Sequence, residues 1–263
     1  RPSYLHSFGM SANYFVIVEF PLVVSSIDLL LWLRPYIENF RWQPRRGARF
    51  TVIDRHSGQV TGRYDCDAFF AFHHINAFER DGELFADLCA YDDASIIQHY
   101  YLNRLRDESN ELPSGTLRRY RIPLHSAGGR INGETLSDAS MELPRFDTER
   151  YARDGAYRFV YACGIDTEHR RGFYNQIVKV DTGSGLARTW SEPGCYPGEP
   201  VFVRRPGGSR EDDGVLLSVV LDTRKGNSFL LVLDAASCGE LSRAEVPHPI
   251  LFGYHGEYFG ANA

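Results

Sequence analysis

The chain has 263 residues, 43% hydrophobic and 24% charged, the make-up of an ordinary soluble globular protein with room for one large all-β domain or two small ones. A net charge of −5 with no Lys/Arg-rich run argues against nucleic acid as a partner. Five widely spaced cysteines with no C-x-x-C argue against a disulfide framework or a zinc knuckle and point to a reducing compartment.

Read in chain order, short bursts of alternating apolar and polar residues recur between Gly, Asp and Asn punctuation. NYFVIVEF is the first clear strand. Residues 23–40 then break the rhythm with the apolar run Leu29, Leu30, Leu31, Trp32 and Leu33, followed by Arg41, Arg45 and Arg46. Such a segment is either a helix capping the core or an apolar knob lying in a membrane interface. ARFTVIDR and QVTGRYDC flank His56, Ser57 and Gly58 and predict a hairpin. Gly82 separates AFHHINAFER from ELFADLCAY in the same way, and residues 96–106 carry helical spacing. Further hairpins are predicted around residues 182–185, between YNQIVKVD and LARTWSE, and around residues 223–226, between VLLSVVLD and NSFLLVLD. Hairpin after hairpin predicts an all-β propeller, barrel or sandwich with short helical insertions. No apolar run is long enough to span a bilayer. No signal peptide is evident, and the start at Arg1 rather than Met suggests a C-terminal portion of a longer protein.

Three histidines stand in similar surroundings far apart in sequence: His6 in YLHSFGMSANYFV, His73 in FAFHHINAFE and His255 in FGYHGEYF. Each setting is rich in aromatics, closed by Gly or Asn, and reads as strand or strand end. A single histidine in a β-protein is ordinarily a structural residue. Three in like settings suggest one metal gathered from several strands, and neutral imidazole suits Fe(II), Zn and Cu. Neighbouring side chains on a strand point to opposite faces, so only one of His73 and His74 can face a given metal.

The strings HSFGMSANYFVIVEFP, FHHINAFE, YPGEPVFV, EDDGVLLSVV and FGYHGEYF resemble the carotenoid cleavage oxygenases, most closely the animal-type branch of β-carotene oxygenases and the retinoid isomerase. The resemblance spans nearly the whole of 1–263. It implies a seven-bladed β-propeller, incomplete here at its N-terminal side, with Fe(II) on its axis held by four histidines. The family's H-S-F-G motif falls on His6, its F-H-x-x-N-A motif selects His73 over His74, and its F-G-[FY]-H-G motif falls on His255. The fourth ligand would precede residue 1. Glutamates that bond the far nitrogen of ligand histidines would be Glu142 in MELPRFD and Glu199 in PGEPVFV; such carboxylates fix each ring's tautomer and offset the metal's charge.

The implied function is an Fe(II)-dependent dioxygenase that uses O2 to cleave a conjugated C=C bond of a carotenoid or apocarotenoid into two carbonyl products. Stilbenoid cleavage and retinoid isomerohydrolysis would use the same ligands. A non-catalytic propeller scaffold, with the histidines as packing residues, is the alternative from another class. The run at residues 29–33 lies where relatives carry a membrane-docking patch. The expected location is therefore the cytoplasm with peripheral membrane contact, and residues 1–263 alone are expected to be weakly active or inactive.

Overall fold

The computed structural model describes residues 1–31, 34–107, 109–151, 155–166 and 172–260. Among these, four larger sheets and one two-stranded sheet carry the fold. The first sheet runs in the order Gly9–Met10, Tyr14–Glu19, Ala48–Asp54, Val60–Cys66, Gly128–Arg130. Its last strand pairs parallel to its neighbour, and the others pair antiparallel. The second has the order Gly133–Ser137, Thr116–Pro123, Glu83–Tyr91, Phe70–Arg80. The third runs Glu142–Arg145, Phe159–Gly164, Gln176–Asp181, Ala187–Ser191, antiparallel throughout. The fourth runs Cys195–Pro197, Gly214–Asp222, Asn227–Asp234, Glu240–Val246, with Val201–Arg204 also paired to Gly214–Asp222. Small antiparallel sheets succeeding one another along the chain are the repeating unit of a propeller.

The residues group into two compact units: residues 1–101, 117–135 and 152–156 form one, and residues 102–116, 136–151 and 157–263 the other. In the first unit, Phe50, Phe69 and Tyr120 interlock with ring centroids 4.6 to 6.0 Å apart. In the second, Tyr161, Ile177, Leu216, Val220, Phe229 and Leu231 pack into one apolar cluster. Fully burying a side chain of this size stabilises the fold by about 1.5–3 kcal/mol. All five cysteines are buried free thiols, and burial pushes Cys66 up to about 12.

The predicted hairpins are present. Asp81 and Gly82 both have positive φ, 54° and 77°, the two-residue turn that matches strand twist, and they join Arg80 to its partner Glu83. The helical spacing of residues 96–106 is realised as two one-turn helices, Ile96–His99 and Leu102–Leu105. Two readings need correction. Residues 23–40 hold a helix at Ser26–Leu31 that buries none of its residues, so it does not cap a core: Ile27, Leu30 and Leu31 are 68%, 78% and 55% exposed. Trp32 and Leu33 lie outside the described residues. Lastly, His6 sits in a bend before the first strand and His255 in an irregular segment, and only His73 is on a strand. The His255 segment is fixed by side chains in place of a ladder: Arg145 Nη2 donates to Glu257 Oε2 at 2.6 Å, and the Ile250 N–H donates to Ser228 Oγ at 2.9 Å. Among the described residues no helix is long and apolar enough to cross a membrane.

One charged network has a pH consequence. The Arg224 guanidinium donates to Asp222 at 2.9 to 3.0 Å and to Glu192 at 2.5 Å, and Arg243 donates to Glu192 at 2.7 Å. Arg224 holds the Asp222 carboxyl down to about 2, and Arg243 with Arg224 holds Glu192 below its usual range. Carboxyls depressed in the folded state stabilise it above their unfolded range of about 4 and lose that contribution as the pH falls. Thermal unfolding midpoints are therefore expected to drop from pH 4 toward pH 2, with a shallower drop in Arg224→Met. Equal slopes in the two proteins would show that the network contributes nothing.

Candidate metal centre

The first unit brings His6 and His73 together. Their rings meet edge to face, with centroids 4.9 Å apart at 90°. His6 is also packed edge-on against Phe72 at 5.4 Å, and Tyr4 Oη lies 3.3 Å from His6 Nδ1. A partner on Nδ1 is the arrangement in which a ligand imidazole is oriented by its other nitrogen.

His73 owes its direction to a bulge. In the pairing of Phe70–Arg80 with Glu83–Tyr91, Ala71 faces Ala90 and His74 faces Leu88, so the two residues Phe72 and His73 stand opposite the single residue Cys89. A second register shift follows between His74 and Asn76. Bulges bend a strand and re-aim a side chain. His74, the other member of the doublet, turns to Ser7: its Nδ1 lies 2.9 Å from Ser7 Oγ. His74 Nε2 is buried and finds no hydrogen-bond partner among the described residues. Burial, reinforced by His73, pushes the His74 imidazole down to about 3, so it stays neutral.

The second unit prepares His255. Its Nδ1 donates to Glu199 Oε1 at 3.0 Å, and the Gly256 N–H donates to Glu199 Oε2 at 3.0 Å. Glu199 is buried, and with both oxygens engaged it fixes the ring's orientation. Glu142 is buried at the edge of the third sheet, opposite Cys163, and its Oε1 accepts the Leu143 N–H at 3.1 Å. Leu143 has a φ of 53°, a left-handed value rare for a branched side chain, at a register shift of that strand. An apolar groove of about 340 Å³ lies beside His255, lined by Leu217, Val219, Leu221 and Leu230 together with the 250–258 segment. A non-polar ligand can approach the imidazole along it.

These imidazoles offer nitrogen donors, with Nδ1 of His6 beside a phenol and Nδ1 of His255 on a carboxylate. That donor set fits a borderline divalent metal such as Fe(II). Sequence reasoning missed Ser7, Tyr4 and the bulge. Ser7 stood inside the motif that singled out His6, but nothing local shows which strand its hydroxyl reaches.

Comparison with known proteins gives a consistent result. The family model described as "Retinal pigment epithelial membrane protein" matches residues 1–260. A mitochondrial carotenoid-cleaving dioxygenase of Macaca fascicularis is 35% identical over 98% of this chain and 53% of its own length. A carotenoid isomerooxygenase of Galleria mellonella is 37% identical over 97% and 52%. The human β,β-carotene 15,15′-dioxygenase is 34% identical over 97% and 52%. Among solved structures, cobalt-substituted Synechocystis apocarotenoid oxygenase superposes with a TM-score of 0.85 at 27% identity, covering 96% of this chain and 52% of that one. The chain thus spans about half the length of the relatives it matches.

Proposed function

From the premise that this chain belongs to the retinal pigment epithelial membrane protein family, whose members here include carotenoid-cleaving dioxygenases, we propose that the protein is an iron(II)-dependent oxygenase that splits a conjugated C=C bond of a carotenoid or apocarotenoid. Both atoms of O2 enter the products, one in each new carbonyl, so no further reductant is needed. Iron(II), when bound, supplies the capacity to activate O2 for this addition.

The protein's own part is to hold and orient. We assign His6, His73 and His255 as ligands through neutral nitrogens, Glu199 as the group that fixes the His255 tautomer, and Glu142 as a second such carboxylate. The fourth imidazole that the family resemblance implies would stand upstream of residue 1. The observation that carries the proposal is the His255–Glu199 pair, a ring whose Nδ1 is committed to a buried carboxylate. The apolar groove beside His255 suits a substrate with no polar handle along its length.

The test is anaerobic loading of the protein, expressed from its full reading frame, with Fe(II), followed by O2 and a carotenoid or apocarotenoid. Loss of visible absorbance with matching aldehydes is the expected result. Intact substrate at full iron occupancy would refute the proposal.

A substrate of this kind resides in membranes. We place the protein on the cytoplasmic side of a lipid surface, docked through Ile27, Leu30 and Leu31 on Ser26–Leu31, with Arg34 and Arg41 nearby in sequence. Co-sedimentation with anionic liposomes is expected and should fall several-fold in the Leu30→Ser, Leu31→Ser double variant; unchanged sedimentation would dispose of this docking mode.

A further inference from the structure

We infer that Ser7 is a positioning residue for the metal-binding pair: its hydroxyl clasps the His6 segment to the bulge that aims His73. The inference rests on the ligand assignment proposed above.

Ser7 Oγ donates to the Phe72 carbonyl at 2.8 Å and accepts the His74 backbone N–H at 2.8 Å. These are the main-chain groups on either side of His73. They lie where the bulge has taken Phe72 and His73 out of register with the neighbouring strand. Backbone groups in a half-buried strand need partners, and here one side-chain oxygen supplies them across the gap. The hydroxyl has a single proton, and it goes to Phe72. The contact with His74 Nδ1 at 2.9 Å must then be an N–H donated by the ring, which fixes the His74 tautomer and completes a three-bonded oxygen.

A second, separate feature holds the same segment on the same strand. Gly9 approaches so closely that a Cβ there would lie 3.2 Å from Ala77 Cβ and 3.4 Å from the His74 ring. Ser7 and Gly9 therefore fasten the segment at two points along Phe70–Arg80. His6 precedes the first fastening directly, and its ring is thereby brought edge to face with His73. With the clasp open, both the bulge and the bend are freer to move, and two imidazoles that must meet one ion lose their preset geometry.

Ser7→Thr and Ser7→Val test this, because they differ in the hydroxyl and not in shape. Ser7→Ala serves as the plain deletion. Each is prepared in the full-length protein, and two quantities are read: the Fe(II) dissociation constant by anaerobic chelator competition, and the visible d–d spectrum of the Co(II)-loaded form. Ser7→Val and Ser7→Ala are expected to bind Fe(II) about 10–100-fold more weakly, as when an outer-shell partner is lost, and to show an altered Co(II) spectrum. Ser7→Thr should restore both. A role in stability alone would lower the unfolding midpoint and leave the Co(II) spectrum unchanged. Wild-type affinity and spectrum in Ser7→Val would overturn the clasp while leaving the metal assignment intact. If the unaltered protein binds neither metal, the assignment itself falls, and the clasp with it.

Discussion

Replacing His73 by alanine in the full-length protein is expected to reduce bound iron to background and abolish oxygenase turnover, whereas His74→Ala should retain the metal. The two residues are neighbours on one strand, and composition cannot tell them apart. The structure does so by partner. His73 meets His6 ring to ring at 4.9 Å, while His74 is committed to Ser7 through its backbone N–H and its Nδ1. Loss of His73 removes a donor, so it should cost more than the about 10–100-fold that loss of an outer partner costs. Glu199→Gln falls in that milder range. The amide can still accept from His255 Nδ1, but it no longer offsets the charge gathered on the metal. Iron per chain, measured after anaerobic loading and desalting, ranks the three. His74→Ala should lose thermal stability, because a buried ring leaves a cavity, but should bind iron as the parent does. An iron-free His74→Ala beside an iron-replete His73→Ala would reverse the assignment.

How much of this was visible in the sequence follows from how local each feature is. The turn at Asp81 and Gly82 was legible because the positive φ it needs is written in those two residues. The strands around residues 182–185 and 223–226 were legible for the same reason, their turns being short and rich in Gly, Ser, Thr or Asn. The parallel pairing of Gly128–Arg130 with Val60–Cys66 was not, since it joins segments with a whole sheet's worth of chain between them. Glu240–Val246 was also missed: it is polar and mostly exposed, an edge strand held by its ladder to Asn227–Asp234 and not by an apolar face. The His255 segment looked like a strand because aromatics favour strands, yet Glu199 and Arg145 side chains hold it in irregular form. The site showed the same division. His6, His73 and His255 stood in motifs that could be read one at a time. The bulge at Phe72 and the Ser7 clasp depend on which strand lies opposite, and a single sequence does not encode register in any short window.

Asp87→Ala should be the most destabilising single change in the strand pair that carries His73, by about 3–5 kcal/mol. Asp87 is fully buried, with 0% of its side chain exposed, and it receives two parallel bonds from Arg119, Nε to Oδ1 at 2.8 Å and Nη2 to Oδ2 at 2.7 Å. The guanidinium is walled in by Phe78 and Phe85, whose ring centroids lie 5.2 and 5.9 Å from it. Removing the carboxylate takes both bonds from a guanidinium that is mostly buried against those rings, so most of the cost is the desolvated charge and little of it the lost bonds. The argument makes a second demand. Removing both charges, as in Asp87→Leu with Arg119→Met, should recover most of the loss, since an apolar pair of similar volume has nothing left to desolvate. In register Asp87 stands opposite Asn76, just beyond the second shift that follows His74. The pair therefore braces the strand next to the metal ligand without touching it, and Fe(II) affinity at a temperature where the variant stays folded should change far less than stability. Urea unfolding of the two single variants and the double variant measures this directly. If Asp87→Ala loses less than about 1 kcal/mol, or the double variant is no better than the single, the buried charge is not what holds this corner of the sheet.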